Sequence, residues 1–288
     1  MHYASHSAIP VIFANRLKKL NIYTNVHGSD VVPENDKQEK FQKYTKKILS
    51  ISNKIIVPSK YFQEYVSKKY KIDEEKMCIY PSGGVNKEFF YKYNNNKRKE
   101  IIKKLNLDDN FIYVGFVGRI SYKKGWDIFV KAANIILNYR DDIKFVIVGN
   151  GPDEEQLNKL IEEYKISDKI IRYDLLSQEK LVELYNILSL FIFPTEREGE
   201  SLGLVAIEAM SCAVPVIASD YAAPKYYIKE LENGFKFQKG NVDELVAKIK
   251  LFIDLPHEIK IKMQEAASKM SDEYSTEKTR VLLKSIFE

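Results

Sequence analysis

"VGFVGRISYKKGWDIF", residues 114–129, decides the fold. A run of apolar, β-prone residues closes on Gly118, Arg119 follows at once, and a loop leads through Lys124 and Gly125 into a helical pattern. Uniformly apolar rather than alternating strand residues are those of a parallel strand covered by helices on both faces. In such sheets ligands sit at the loops leaving the carboxyl ends of the strands, and two cations beside a helix N-terminus suit a phosphate. On this segment alone, a surface loop in a lysine-rich protein reads equally well. "IVGNGPDEEQL" (147–157) repeats the layout with Gly149, Gly151 and Pro152 before a helix. A tight turn into that helix is the favoured reading there. Neither segment is a dinucleotide fingerprint, so a nicotinamide-linked enzyme is a poor fit.

Working outward, the same rhythm recurs. "IYTNV" (22–26), "KIIVP" (54–58) and "MCIYP" (77–81) precede this region; "FIYVGFVG" (111–118), "IKFVIVG" (143–149), "KIIRY" (169–173), "LSLFIFP" (188–194) and "VPVIAS" (214–219) make it up. Strands alternating with helical patterns predict an α/β protein with parallel sheets. The chain has 288 residues, long for one core, and predicts two Rossmann-like domains. The expected division is a partial first domain over 1–93, a connection over 94–109, a second domain over 110–270 and a terminal helix over 271–288. Three strands leave the first sheet short, with an edge that something must cover. Val281, Leu282, Ile286 and Phe287 form a stripe on the last helix, which is expected to pack back on the first domain.

No apolar run reaches the ~20 residues of a membrane span, and the first residues lack the order of a signal peptide; a cytoplasmic protein is expected. Residues 1–110 carry 21 Lys and Arg against 12 Asp and Glu, whereas the remainder carries 24 against 28. The basic first part suits peripheral contact with an anionic membrane surface, although a solvated helix face explains "KQEKFQKYTKK" (37–47) more simply. Nucleic acid is not an expected partner, because no aromatic-interleaved basic motif appears. Cys78 and Cys212 read as buried free thiols, and His2, His6, His27 and His257 make no metal-spaced cluster with them. No metal or other cofactor is expected.

Between Leu202 and Ala218 the only charged residue is Glu208. A carboxylate in apolar surroundings needs a hydrogen-bonding partner. If a helix begins near Ser201 or Leu202, then Ser201, Leu204 or Val205, and Glu208 share a face, with Glu200 in the loop at its tip. A ligand across that helix start would give hydroxyls to both glutamates and its phosphates to the N–H groups between them.

"GRISYKKG", "VGNGP", "FPTEREGESLGLVAIEAM" and "VPVIASD", in this order and spacing, resemble retaining GT-B glycosyltransferases of family four, the glycosyl transferases group 1, of the kind that build bacterial surface polysaccharides. "NVHGSD" (25–30), "VPSKYF" (57–62) and "YPSGGVN" (80–86) match the end of that family's first domain, which is expected here in an N-terminally truncated form. The resemblance implies a nucleoside-diphosphate sugar as donor, UDP-linked by preference, and a saccharide or lipid-linked saccharide as acceptor. It implies that Arg119 and Lys124 neutralise the diphosphate, Glu208 takes the ribose hydroxyls, Glu200 holds the transferred sugar and His27 approaches that sugar. Gly118, Tyr173, Ser201, Leu202, Gly203 and Leu204 complete the implied donor site. The alternatives are a non-catalytic nucleotide-sugar-binding protein and an inactive remnant; the active form is expected as a portion of a longer protein or completed by a second chain. Family members favour glycine where this chain has Ala213, Ala222 and Ala223, and glutamate where it has Tyr226.

Overall fold

All eight expected strands form, together with a ninth that the sequence reading missed. The computed structural model describes residues 1–288, which divide into two units.

The first unit comprises Met1–Gly84, Glu198–Gly203 and Glu277–Glu288. Helix α1 (Ala8–Leu17), strand β1 (Tyr23–Asn25), helix α2 (Asp36–Ile51), strand β2 (Lys54–Val57), helix α3 (Lys60–Tyr70) and strand β3 (Met77–Ile79) follow in order. The strands form a parallel sheet ordered β1-β2-β3. Caps fix the helix starts: Asn35 accepts from the Gln38 N–H at 3.0 Å, and Ser59 from the Phe62 N–H at 3.3 Å. The outer edge of β1 is covered by the chain's own first residues. Asn25 donates its N–H to the Met1 carbonyl at 2.8 Å, and Tyr3 donates its own to the Asn25 carbonyl at 3.1 Å. Near the chain's other end, Lys54 Nζ donates to the Ile286 carbonyl at 3.1 Å.

The second unit comprises Val85–Arg197 and Leu204–Thr276. It begins with helix α4 (Asn95–Lys104) and continues with β4 (Ile112–Val117), α5 (Trp126–Leu137), β5 (Ile143–Val148), α6 (Glu154–Glu163), β6 (Ile170–Tyr173), α7 (Gln178–Ile187) and β7 (Leu190–Phe193). Helix α8 (Leu204–Ser211), β8 (Val216–Ser219), α9 (Pro224–Tyr227), β9 (Gly234–Phe237), α10 (Val242–Asp254) and α11 (His257–Ser271) complete it. A last helix, α12 (Thr276–Phe287), lies in the first unit from Glu277 onward. Strand order is β6-β5-β4-β7-β8-β9, parallel throughout. Every residue of β7 and β8 is buried, as a sheet sandwiched between helices requires. The segment 94–109, expected as the connection between the domains, carries α4, capped by Asn94 accepting from the Lys97 N–H and anchored by buried Ile101 and Ile102. No helix of the chain is long and apolar enough to cross a membrane.

Two of the three alanines that stand at expected glycine positions are strained. Ala213 (φ 60°) and Ala222 (φ 53°) hold left-handed backbone and are buried, whereas Ala223 (φ −64°) does not. Ala213 ends α8: the Val214 N–H returns to the Ala209 carbonyl at 3.0 Å, and the reversal turns on Ala213. A Cβ in this conformation costs roughly 1 kcal/mol. Ala213→Gly and Ala222→Gly are therefore expected each to raise the melting temperature by about 1–4 °C, whereas Ala132→Gly in the buried interior of α5 lowers it. Differential scanning calorimetry of the three variants checks the pattern, and a fall at Ala213 would contradict it.

Candidate functional site

The strand order of the second unit reverses between β4 and β7. From β4 the chain builds outward to β6, then returns to lay β7 on β4's other side and continues to β9. That reversal leaves a crevice outside the carboxyl ends of β4 and β7, the place where doubly wound sheets bind ligands. Gly118, Arg119 and Lys124 stand on the loop that leaves β4.

Backbone contacts fix this loop. Gly118 donates its N–H to the Val148 carbonyl at 3.0 Å, Ile120 to the Asn150 carbonyl at 2.9 Å, and Asp153 to the Ile120 carbonyl at 3.1 Å. An added Cβ on Gly149 (φ 130°) would lie 2.0 Å from the Gly118 carbonyl oxygen, and one on Gly151 would lie 2.1 Å from that of Ile120. The two glycines thus do more than turn the chain into α6: they let two loops touch backbone to backbone. On the other side, Glu196 donates its N–H to the Lys123 carbonyl at 2.8 Å, and a Cβ on Gly125 would lie 2.0 Å from the Pro194 carbonyl oxygen. Tyr173, at the end of β6, accepts the Gly149 N–H at 3.0 Å.

Arg119 is exposed and opens onto a concavity of about 660 Å³ shared with Asn150, Gly151, Pro152, Glu154 and Leu175. The sequence reading placed Gly151 and Pro152 in a turn but did not single out Asn150, Glu154 or Leu175, because an Asn or Leu in a loop carries no motif. It also missed Arg172, half-buried in β6. Its Nη2 reaches Glu154 Oε1 at 3.3 Å and the Gly149 carbonyl at 3.5 Å, while Nη1 is buried without a partner. Burial draws this guanidinium's pKa down, with Glu154 pulling it back. An arginine inside the strand run "IIRY" (170–173) was the available signal.

Helix α8 starts at Leu204, not at Ser201 or Leu202 as expected, because Gly203 (φ 78°) holds a left-handed turn that a right-handed helix cannot include. Ser201 is therefore off the helix. Leu204, Val205 and Glu208 remain partly accessible while Ala206, Ile207, Ala209, Met210 and Ser211 are buried, so the first three share the open side. Glu208 has a protein partner: the hydroxyl of fully buried Tyr185, on α7, donates to its Oε2 at 3.1 Å. Burial raises the Glu208 pKa, and the Tyr185 hydrogen bond opposes that rise. Burial and the neighbouring carboxylate push Tyr185 well up, keeping it a neutral donor.

His27, Glu200, Ser201, Leu202 and Gly203 belong to the first unit, and Gly118, Arg119, Lys124, Tyr173, Leu204 and Glu208 to the second. Within the first unit, the turn at His27 and the loop at Glu200 adjoin: a Cβ on Gly28 would lie 3.1 Å from the Gly199 carbonyl oxygen. Glu200 is buried, at 9% exposure. The His27 ring stacks on Tyr3, with centroids 5.1 Å apart, and its Nε2 lies 3.2 Å from His2 Nδ1. Burial lowers its pKa, Asp30 opposes, and His2 lowers it further, so the ring is held neutral.

Residues 97–270 match the family described as "Glycosyl transferases group 1". The chain is 27% identical over 293 residues to an uncharacterized glycosyltransferase of Methanocaldococcus jannaschii, covering 100% of this chain and 74% of that protein. It is 30% identical over 184 residues to the capsular polysaccharide biosynthesis glycosyltransferase CapM of Staphylococcus aureus, covering 63% of this chain and 47% of that one. Its fold resembles HepE of Anabaena, solved in complex with UDP, with a TM-score of 0.84 at 16% identity over 98% of this chain and 76% of the other. The chain thus spans three-quarters of the first of these proteins and less than half of CapM.

The raised Glu208 pKa has a pH signature. An acid whose folded-state value lies above its ordinary 4.5 binds extra protons in the native state, so its ionisation destabilises the fold as pH rises through the raised value. Glu208→Gln, which keeps an oxygen for Tyr185, is expected to melt higher than the parent near pH 8, and the gap should close by about pH 4. A gap constant with pH, measured by calorimetry, would contradict this.

Proposed function

The chain belongs to the glycosyl transferases group 1 family and has the GT-B class of α/β fold, and from that premise we propose that it transfers a sugar from a nucleoside diphosphate to a hydroxyl with retention of anomeric configuration. The observation that carries this reading is the position of Arg119 and Lys124 on the loop leaving β4 at the sheet's reversal, where a diphosphate meets two cations. The partly accessible Glu208 suits ribose hydroxyls: one oxygen is held by Tyr185, and the carboxylate stands on the open side of α8.

In this scheme the bond between the anomeric carbon and the diphosphate oxygen breaks while that carbon bonds to the acceptor oxygen, and the acceptor's proton passes to the leaving phosphate. Arg119 and Lys124 stabilise the charge growing on the diphosphate. Glu200 and His27 are assigned to the transferred sugar, and a neutral His27 suits hydrogen bonding better than ion pairing. Ser201, Leu202, Gly203 and Leu204 are assigned to the donor as well. No metal enters the scheme. UDP is favoured as carrier, in keeping with the UDP found in HepE, and surface polysaccharide synthesis as the setting, in keeping with CapM. A lipid-linked acceptor at an anionic membrane surface extends the reading to the basic first part of the chain.

Thermal unfolding with UDP, GDP and ADP tests the donor assignment. A ligand at a hundredfold excess over its Kd stabilises the fold by about 2.7 kcal/mol. UDP is expected to raise the melting temperature by several degrees and GDP and ADP by less, with the UDP shift largely lost in Arg119→Ala and Glu208→Gln. Equal shifts in both variants would remove these residues from the site.

A further inference from the structure

The second unit holds a concavity of about 200 Å³ at the end of its sheet opposite the donor loops. Ile112, the first residue of β4, and Ser189, just before β7, line it. Gly118 and Arg119 follow the other end of β4, about 20 Å away along that strand. Helix α10 contributes Phe252 and Ile253, and α11 contributes His257, Lys260, Ile261 and Gln264.

The lining divides by chemistry. Ile112, Phe252, Ile253 and Ile261 are apolar, whereas Ser189, His257, Lys260 and Gln264 carry polar groups, and no acidic side chain is among them. Gln264 Oε1 accepts from Lys92 Nζ at 3.0 Å, which leaves the Gln264 NH₂ group as a donor. Lys260 Nζ donates to the Ile253 carbonyl at 2.6 Å, using one of its three N–H bonds. Burial draws the Lys260 pKa down, Asp254 opposes, and Arg140 draws it further down. Asp254 itself lies 3.7 Å from Arg140 Nη1. The concavity therefore stands beside a positive charge that its surroundings compensate incompletely.

Helix α11 adds a second positive contribution. His257 and Lys260 lie in its first turn, and this fifteen-residue helix follows Pro256 with no side-chain cap, so the positive end of its dipole adjoins the lining. Glu258 shares that turn but does not line the concavity.

These features exclude most ligands. A metal cation finds no carboxylate here, and a polyphosphate finds one ammonium. A purely apolar molecule would strip water from Lys260 and its neighbouring donors without replacing their hydrogen bonds. The volume, below the ~300–1,000 Å³ of sites for drug-sized ligands, limits the occupant to a few heavy atoms. We infer that this concavity binds a short aliphatic carboxylate, its anion held by Lys260, Ser189 and Gln264 and its chain laid against Phe252, Ile253 and Ile261. The inference goes beyond the sugar-transfer reading and does not depend on it.

Ligand-observed NMR titration of the full chain with propionate, butanoate and hexanoate tests this, with 1-hexanol and inorganic phosphate as comparison probes. A buried methylene is worth about 0.8 kcal/mol, or about fourfold in affinity, so affinity should climb about fourfold per methylene from propionate to hexanoate. 1-Hexanol and phosphate should each bind at least about tenfold more weakly than hexanoate, the first lacking the charge-assisted hydrogen bond and the second the chain. Lys260→Met should weaken hexanoate about tenfold and leave 1-hexanol unchanged, and Arg119→Ala should bind hexanoate as the parent does. Should Lys260→Met fail to fold, Ile261→Ala, at an exposed position, decides the matter: it should weaken hexanoate several-fold and propionate less. No binding of hexanoate at millimolar concentration, affinity independent of chain length, displacement of hexanoate by equal phosphate, or loss of binding in Arg119→Ala overturns the site.

Discussion

Backbone-to-backbone contact among the loops leaving β4, β5 and β7 is the constraint on which the second unit's chemistry depends. Gly149, Gly151 and Gly125 each stand where a methyl group would lie about 2 Å from a neighbouring carbonyl oxygen. Removing the side chains there lets main-chain hydrogen bonds join three loops into one surface, with Arg119 and Lys124 carried on its central member. Two cations on a long independent loop would have to be ordered at each binding event, at a cost of about 1–2 kcal/mol per residue fixed. Here the sheet orders them in advance.

Glu208 shows how that surface and the core are coupled. Its helix follows a left-handed Gly203 and ends on a left-handed Ala213, so α8 is only eight residues long and its register is set at both ends. That register leaves Glu208 on the open side with one oxygen held by Tyr185. The carboxylate is therefore positioned by the core yet partly accessible on the open side of α8. Pre-positioning of this kind is what a group contributes when it must bind without rearranging.

Most of the fold was legible in the sequence because parallel strands buried on both faces read as unbroken apolar runs. Strand β9 escaped because "GFKF" is four residues long, with a lysine inside it and a glycine whose Cβ would collide with the Val216 carbonyl at 1.9 Å. The start of α8 was misplaced by two to three residues, since a glycine's left-handed backbone leaves no mark on hydrophobic periodicity. Of the candidate site, Arg119 and Lys124 could be read from a strand–loop–helix pattern, and Glu208 from its isolation among apolar neighbours. The Tyr185 partner could not, because a tyrosine 23 residues away is brought near only by the packing of α7. The stack of Tyr3 on His27 was invisible for a related reason: it exists only once the first residues lie along β1.

The most direct test of the central claim, that this surface receives a nucleoside diphosphate through its cations, is calorimetric titration of the chain with uridine, UMP and UDP at two salt concentrations. The account predicts one UDP site per chain, weaker UMP binding, no measurable uridine binding, and UDP affinity that falls as salt rises. Equal affinity for uridine and UDP, or no heat from UDP at millimolar concentration, would contradict it.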